Sequence, residues 1–346
     1  MSLRHEVLGL PGHDNALWLT VDSGHDTARL LFDCGDGCLA GKSFAEIQSL
    51  DGLFFSHLHM DHVGGFDSFF RCVFDRRGRG NHIWGPPDTA RILEHRFQGF
   101  LWNLDEELEG SWLVTDIGRD VVRTSRFELH EGFSIAHPAG EEPFTGTLLV
   151  REGFSIETMH LDHRTASMGY RVREPARVNV DEARLAAAGL RPGPWMKALK
   201  DLAAGETGET IDVDGRTLSL DALRRDLLRE TPGASIAYLT DFRLSEEALP
   251  AVAAWLAGTT TLVCESSYRH ADADVAIRHR HMTTRLTATL AREAGVGALE
   301  LIHLSDRYSG EEWLAMLAEA REVFPAATFP PHWRIAPTRR DPPSPE

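Results

Sequence analysis

Four side chains of metal-binding type fall within six residues, directly after a short apolar segment. Residues 53–56 predict a buried strand, and His57, His59, Asp61 and His62 follow it. Since residues two apart in an extended chain point to the same side, His57 and His59 can bind one ion. Asp61 and His62 lie at a turn into a predicted helix and can bind a second ion nearby. Polar side chains just past a buried strand are typical of α/β folds, which place their chemistry there.

A chance cluster is the alternative, because the chain has 17 histidines. A complete H-x-H-x-D-H pattern between an apolar strand and a Gly-Gly pair is much rarer, so we interpret it as a metal site. Imidazole favours zinc, and a carboxylate extends the choice to manganese or iron.

Two ions need more ligands than this segment supplies, and other predicted strands end in suitable residues. Asp241 follows the apolar segment 234–239 and is suited to bridge two ions. His163 and His303 each follow a predicted strand or its turn and can each complete one site. A single histidine at a strand end is more often a satisfied polar residue than a ligand. Together with the first motif, however, the set indicates a two-metal site.

Several further segments carry a family resemblance. Residues 31–37 resemble an L-F-D-C-G-E-G turn, and residues 161–171 resemble an H-x-x-x-S-x-G-Y-R segment. Residues 236–241 resemble an I-A-Y-S-G-D strand, and residues 301–308 resemble L-T-H-F-S-x-R-Y. With Glu265 and residues 281–283, which resemble the H-E-A-T and H-S-T elements, the order and spacing are similar to those of the ribonuclease Z family of the metallo-β-lactamase superfamily.

The resemblance implies an α/β fold, a four-layer αβ/βα metallo-β-lactamase sandwich with the metals at one edge of the β layers. It implies two zinc ions, with manganese or iron as possible alternatives. The implied ligands are His57, His59 and His163 on one ion, Asp61, His62 and His303 on the other, and Asp241 between them. Asp33 would hydrogen-bond a ligand imidazole and fix its tautomer; alone, it is equally well explained as a turn former.

The implied reaction is metal-assisted cleavage of a phosphodiester, in which Asp61 counts with the catalytic residues. The leaving 3′-oxygen needs a proton, for which His281 is the best candidate donor. Glu265 can orient His281. Arg307 can contact phosphate through its guanidinium, although a capping or salt-bridged arginine fits as well.

The character of the chain changes over residues 174–232, which predict an insertion, part helix and part loop, within a domain of residues 1–330. Part of it resembles the family's G-x-x-x-G-P segment, found in an arm that grips the tRNA elbow. The implied substrate-binding residues there are Gly193, Pro194, Lys197 and Lys200. Acidic residues surround them and would weaken binding of a polyanion. The tail, 337–346, is rich in Pro and charge and is predicted to be disordered.

Charge and targeting signals restrict where and on what the protein works. The formal net charge of −16 argues against binding nucleic acid through a broadly basic surface. The N-terminal segment is not of signal-peptide type, no apolar run is long enough to span a membrane, and the cysteines match no disulfide framework. These features predict a cytoplasmic protein.

The leading hypothesis is an endonuclease that trims precursor tRNA 3′ ends, and the resemblance suggests a homodimer. The chain departs from the family at residues 8–15, where the Gly-rich turn is altered and the basic residues are absent. It also has Thr240 where Gly is common and Cys264 where His is frequent. The alternatives are a hydrolase of a small phosphodiester, sulfate ester or lactone, and a non-catalytic metal-binding or RNA-binding module. A redox di-iron protein would prefer another carboxylate at His59.

Overall fold

The computed structural model describes residues 2–24, 26–76, 78–103, 109–200 and 210–336. They form two compact units, one within residues 1–173 and 234–346 and the other Glu174–Gly233. The predicted tail, 337–346, lies outside the described residues. Among the described residues, no helix combines the length and apolar character that crossing a bilayer requires.

The first part of the larger unit builds an eight-stranded sheet whose strands lie in chain order. Its strands are β1 (Ser2–Leu8), β2 (Ala16–Asp22), β3 (Thr27–Phe32), β4 (Gly52–Phe54), β5 (Asn81–Gly85), β6 (Ser111–Ile117), β7 (Val121–Glu128) and β8 (His137–Pro143). Strands β3 to β6 are parallel and the outer pairs antiparallel. The connecting helices are α1 (Phe44–Gln48), α2 (Met60–Val63), α3 (Phe66–Val73) and α4 (Thr89–Phe97).

The second part of this unit builds a seven-stranded sheet in the order β19-β18-β17-β16-β11-β10-β9. Its strands are β9 (Thr147–Arg151), β10 (Phe154–His163), β11 (Thr165–Arg173), β16 (Ser235–Leu239), β17 (Thr261–Glu265), β18 (Ala298–Ile302) and β19 (Ala327–Thr328). Its helices are α8 (Leu249–Leu256), α9 (Ala273–His279), α10 (Thr284–Ala294) and α11 (Gly310–Val323). The helix α10 stops at Gly295, which takes a left-handed φ of 62°.

Alternation along the strands produces the layers of the predicted sandwich. In β3, Leu30 and Phe32 pack into a core between the two sheets, whereas Leu31 packs against the helices of the first sheet. In β16, Tyr238 joins the same central core, whereas Leu239 packs against the helices of the second sheet. Because successive strand residues point to opposite faces, each sheet is covered on both sides. The result is helices, sheet, sheet, helices, the four-layer metallo-β-lactamase fold.

The smaller unit, Glu174–Gly233, has its own apolar core, in which Leu199 and Leu227 are almost fully buried. Its elements are β12 (Arg177–Val180), α5 (Glu182–Ala187), α6 (Trp195–Lys200), β13 (Thr210–Val213), β14 (Arg216–Ser219), α7 (Leu220–Leu227) and β15 (Leu228–Thr231). The expectation of helix and loop missed its two two-stranded sheets, β12-β15 and β13-β14. Strands of four residues carry too little alternation to be recognised.

A close backbone approach at Gly65 supports the start of α3. The Gly65 amide donates to the Cys34 carbonyl at 2.8 Å, and a Cβ on Gly65 would lie 2.3 Å from the Gly35 carbonyl oxygen. Gly65→Ala is expected to lower the free energy of unfolding by about 2–4 kcal/mol, because backbone must move. Urea denaturation tests this. Gly41→Ala, where a Cβ meets nothing within 4 Å, is the control and should change stability by less than about 0.5 kcal/mol. Equal effects would contradict the argument.

Candidate metal centre

The ends of several strands meet at one edge of the larger unit. β3 stops at Phe32 because Asp33, the next residue, takes a left-handed φ of 61°. Asp241 and His303, just beyond β16 and β18, have φ values of 51° and 54°. Left-handed backbone is uncommon for residues other than glycine, and such strain is concentrated at functional sites. These turns direct side chains away from the strands at the position where chemistry is expected.

The first group of converging side chains consists of His57, His59, His163 and Asp241. One donor atom from each lies within 4.8 Å of the others. The Asp241 Oδ2 atom is 3.5 Å from His57 Nε2 and 3.6 Å from His163 Nε2. The Nδ1 atom of His163 is 3.0 Å from the Arg280 carbonyl oxygen, so it carries the proton and leaves Nε2 free to bind a metal.

The second group consists of Asp61, His62, Asp241 and His303, again with donor atoms within 4.8 Å of one another. Here the other oxygen of Asp241, Oδ1, lies 3.3 Å from His303 Nε2 and 3.5 Å from His62 Nε2. Asp61 Oδ2 lies 3.4 Å and 3.3 Å from the same two nitrogen atoms. Asp241 therefore turns one carboxylate oxygen toward each group, as a ligand shared by two ions would.

The donor set fits metal ions on a further observation. His57 and His62 are almost completely buried, yet the Nε2 atom of each has no hydrogen-bond partner among the described residues. A buried polar atom without a partner costs free energy, and a metal bond at each Nε2 would remove that cost. These residues can hold a cation in each group.

The electrostatics of the first group suit metal binding. Burial holds the pKa of His57 well below its usual range and also lowers the pKa of His163. Both rings are therefore neutral at physiological pH, as a ligand imidazole must be. Burial would raise the pKa of Asp241, but the nearby His303 and His62 imidazoles outweigh it and hold that pKa well below its ordinary value. Asp241 is therefore an anion.

Comparison with known proteins identifies the family. Residues 28–179 match the model of the beta-lactamase superfamily domain. The ribonuclease Z of Deinococcus radiodurans is 49% identical over 327 residues, which cover 94% of this chain and 97% of that protein. The chain belongs to the ribonuclease Z family. The ribonuclease Z of a Synechococcus strain is 31% identical and covers 86% of this chain and 83% of its own length. This family membership makes the protein a hydrolase of the metallo-β-lactamase superfamily.

Solved structures agree on the fold. The metallo-beta-lactamase fold protein YhfI of Bacillus subtilis superposes with a TM-score of 0.54, at 16% identity over 94% of this chain and 95% of that chain. Human tRNase Z, short form, superposes with a TM-score of 0.50, at 16% identity over 89% of this chain and 94% of that chain. At these identities the likeness shows the fold alone.

In this ribonuclease Z family member, a buried network around Asp33 fixes the His62 ring. Asp33 Oδ2 is 2.8 Å from His62 Nδ1 and accepts hydrogen bonds from the Ser56 hydroxyl at 2.7 Å and the Tyr238 hydroxyl at 3.0 Å. A carboxylate can only accept, so His62 Nδ1 carries the proton and Nε2 faces Asp61 and Asp241. Asp33 therefore contacts the His62 imidazole, and its role in fixing the tautomer of a metal ligand stays a prediction.

Asp33→Asn is expected to weaken metal binding about 10- to 100-fold. The amide NH2 group can only donate, so it cannot accept the three hydrogen bonds that Asp33 Oδ2 now accepts. Titration of the metal-free protein against a chelator of known affinity measures this. Tyr238→Phe is the matched control, since it removes one hydrogen bond to Asp33 and leaves His62 in contact with the carboxylate. It should weaken binding much less. Unchanged metal affinity in Asp33→Asn would contradict the positioning role.

Glu265 and His281 form a second buried pair beside the metal groups. Glu265 is fully buried, and its Oε2 atom is 3.0 Å from His281 Nδ1. The Ser267 hydroxyl donates to the same oxygen at 2.8 Å and lies 3.1 Å from His303 Nδ1. Burial lowers the pKa of His281, but Glu265 and Asp241 outweigh it and raise that pKa to about 9. Glu265, His281 and His303 also lie close enough to hold an ion, but hydrogen bonds already account for that cluster.

The residues predicted to bind substrate do not belong to the two groups of metal-binding side chains. Arg307 is exposed, and only its backbone amide makes a described hydrogen bond, to Ser305. Gly193, Pro194, Lys197 and Lys200 belong to the smaller unit, with both lysines exposed on α6. Their roles stay predictions.

Sequence reasoning missed several residues that the fold brings to the centre. The Asn15 side chain accepts a hydrogen bond from the His303 amide at 2.9 Å, across 288 residues of sequence. Three hydroxyl groups reach their partners only after distant strands have met. Ser267 contacts His303, Ser56 contacts His62, and Tyr238 contacts Asp33. Asn15 lies in the altered segment 8–15, which was the one available signal. Hydroxyl groups beside strand ends have no spacing that would mark them in advance.

Proposed function

We propose that this protein is an endoribonuclease that removes the 3′ trailer from precursor tRNA. The observation that carries the proposal is Asp241, whose two oxygens face two separate groups of imidazole nitrogens. A two-metal centre of this kind suits displacement at phosphorus. The two relatives described above, 49% and 31% identical, are named ribonuclease Z, and the similarity covers 94% and 86% of this chain.

We further propose that the two ions are zinc. His57, His59 and His163 would hold one, Asp61, His62 and His303 the other, with Asp241 shared. Imidazoles outnumber carboxylates three to one in the first group and equal them, two to two, in the second. This share of nitrogen ligands favours zinc over harder cations. Bound there, the ions would supply an activated water and stabilise negative charge on the phosphate.

The chain's own residues complete the reaction. Asp33 holds His62 in the tautomer whose Nε2 faces the centre, and Ser267 does the same for His303. Glu265 accepts a hydrogen bond from Nδ1 of His281 and so orients the ring. We assign His281 the delivery of a proton to the leaving 3′-oxygen. Glu265 cannot move freely, because it also accepts from the backbone amides of Phe242 and Met282.

Other parts of the proposal extend beyond the centre. The smaller unit, Glu174–Gly233, would act as an arm that contacts the tRNA, using the exposed Lys197 and Lys200 on α6. The charge of Arg307 acts to lower the pKa of the Tyr268 hydroxyl, and the Tyr268 ring lies beside that of His281. From this position Arg307 would contact a phosphate. We propose a homodimer that works in the cytoplasm, on the basis of the family resemblance.

An end-labelled precursor tRNA with a 3′ trailer tests the proposal directly. With added zinc or manganese, we expect one cut near the discriminator base, and no cut by Asp241→Asn. Turnover of bis(p-nitrophenyl) phosphate, measured in parallel, reports whether the metal centre is intact. Turnover of that ester without any cut in tRNA would contradict the proposal and assign the site to a smaller substrate.

A further inference from the structure

A cavity of about 450 Å³ in the larger unit is lined by an unusual number of cationic groups. Arg119 comes from the turn between β6 and β7, Arg164 from the turn between β10 and β11, and Arg243 from the chain after β16. His160 also lines the cavity, together with apolar residues such as Phe242. Three separate connections thus deliver arginine to one concave surface of a chain whose net charge is −16.

The charge of this cavity is not neutralised within the described part of the chain. None of Arg119, Arg164 and Arg243 lies within ion-pair distance of a described carboxylate, and Arg164 donates only to the Arg278 carbonyl, at 2.9 Å. Asp162 is the one acidic residue among the described residues of the lining, and Arg280 binds both its oxygens, at 2.5 and 2.7 Å. The three guanidinium groups therefore have free donors for an anion.

Two of the three arginines lie next to residues of the metal centre in the sequence. Arg164 follows His163 directly, and Arg243 lies two residues after Asp241. Arg243 also lines a neighbouring cavity of about 560 Å³, whose wall includes His281. His281 in turn lines a third cavity, whose wall also includes Asp61 and His303. Through these shared lining residues, the cavity with the three arginines borders the cavities that contain His281, Asp61 and His303.

We propose that this cavity, lined by Arg119, Arg164 and Arg243, binds a backbone phosphate of the RNA substrate other than the one that is cut. The inference rests on the proposed function and specifies how an acidic protein of this kind holds RNA. Guanidinium groups bind phosphate with paired, charge-assisted hydrogen bonds. Because the attraction is local, it does not need a basic surface. A free phosphate or mononucleotide has the same chemistry, and the test must distinguish the two sources.

The test uses the full-length, metal-loaded protein and the double variant Arg119→Gln/Arg164→Gln. Both positions are exposed, and Arg243 is left in place because it is close to Asp241. Arg4→Gln, an exposed arginine on β1, is the control for loss of positive charge. Three quantities are measured: KM for the precursor tRNA, affinity for a short labelled single-stranded RNA as a function of salt, and turnover of bis(p-nitrophenyl) phosphate.

For the double variant we expect KM and Kd for RNA to rise about five- to tenfold. The slope of log affinity against log salt should fall by about 0.7, the value for one phosphate on a single strand. Turnover of bis(p-nitrophenyl) phosphate should stay unchanged, as should every quantity in Arg4→Gln. A protein that binds RNA through these arginines but does not cut tRNA would refute the proposed function and leave the phosphate site standing.

Three results would overturn the inference. Unchanged RNA affinity and salt slope would mean that the arginines contact no phosphate. An equal loss on RNA and on bis(p-nitrophenyl) phosphate would mean that the substitutions damage the metal centre. Displacement of the labelled RNA by inorganic phosphate or a mononucleotide, added at the same concentration as the RNA, would assign the cavity to a free anion.

Discussion

Replacing Asp241 by asparagine will lower phosphodiester hydrolysis about 1,000-fold or more and will release metal from the protein. The asparagine would keep the shape of the side chain, so the fold should survive. One of its two positions facing the imidazoles becomes an NH2 group, which cannot bind a metal. Each ion would lose a shared anion, and the second group would keep only the Asp61 carboxylate.

The measurements are metal content per chain and turnover of both bis(p-nitrophenyl) phosphate and precursor tRNA. Glu300→Gln is the matched control. Glu300 is also a buried carboxylate, lies on β18 close to His303 in sequence, and is 2.7 Å from the His5 ring. Its replacement should leave metal content and turnover near those of the natural protein. Full metal content and full turnover in Asp241→Asn would refute the shared-ligand assignment.

The sequence is informative about this centre where the chemistry is local. The H-x-H-x-D-H segment predicts two neighbouring groups of donors, since strand geometry sets His57 and His59 on one side and the turn into α2 sets Asp61 and His62 apart. Asp241 and His303 are recognisable because each follows a buried apolar strand. The structure brings all of these side chains together. Whether they bind metal stays a prediction that the Asp241 experiment tests.

Contacts between distant strands are not encoded in spacing, which is why the rest could not be predicted. Tyr238 looks like a core residue of β16, and only sheet-on-sheet packing carries its hydroxyl to Asp33. The cluster of Arg119, Arg164 and Arg243 is likewise assembled from three connections that are far apart in the sequence. In the smaller unit, four-residue strands are stabilised by tertiary packing, which overrides weak local preference.

The effect of His281→Ala will depend on the leaving group. On RNA, where the leaving 3′-oxygen is a poor leaving group without a proton, we expect kcat to fall about 100- to 10,000-fold. On bis(p-nitrophenyl) phosphate the leaving phenolate is stable without a proton, so turnover should fall less than about tenfold. The geometric basis is the 3.0 Å contact of Nδ1 with Glu265, which leaves Nε2 as the ring nitrogen able to serve substrate.

Two comparisons separate proton delivery from damage to the centre. Metal content of His281→Ala should match that of the natural protein, since His281 belongs to neither of the two groups that share Asp241. Glu265→Gln should show the same difference between substrates at smaller size, because the ring loses its charged partner but stays in place. Equal losses on both substrates, or loss of metal, would mean that His281 supports the centre rather than the leaving group. A large loss confined to RNA would assign it the proton.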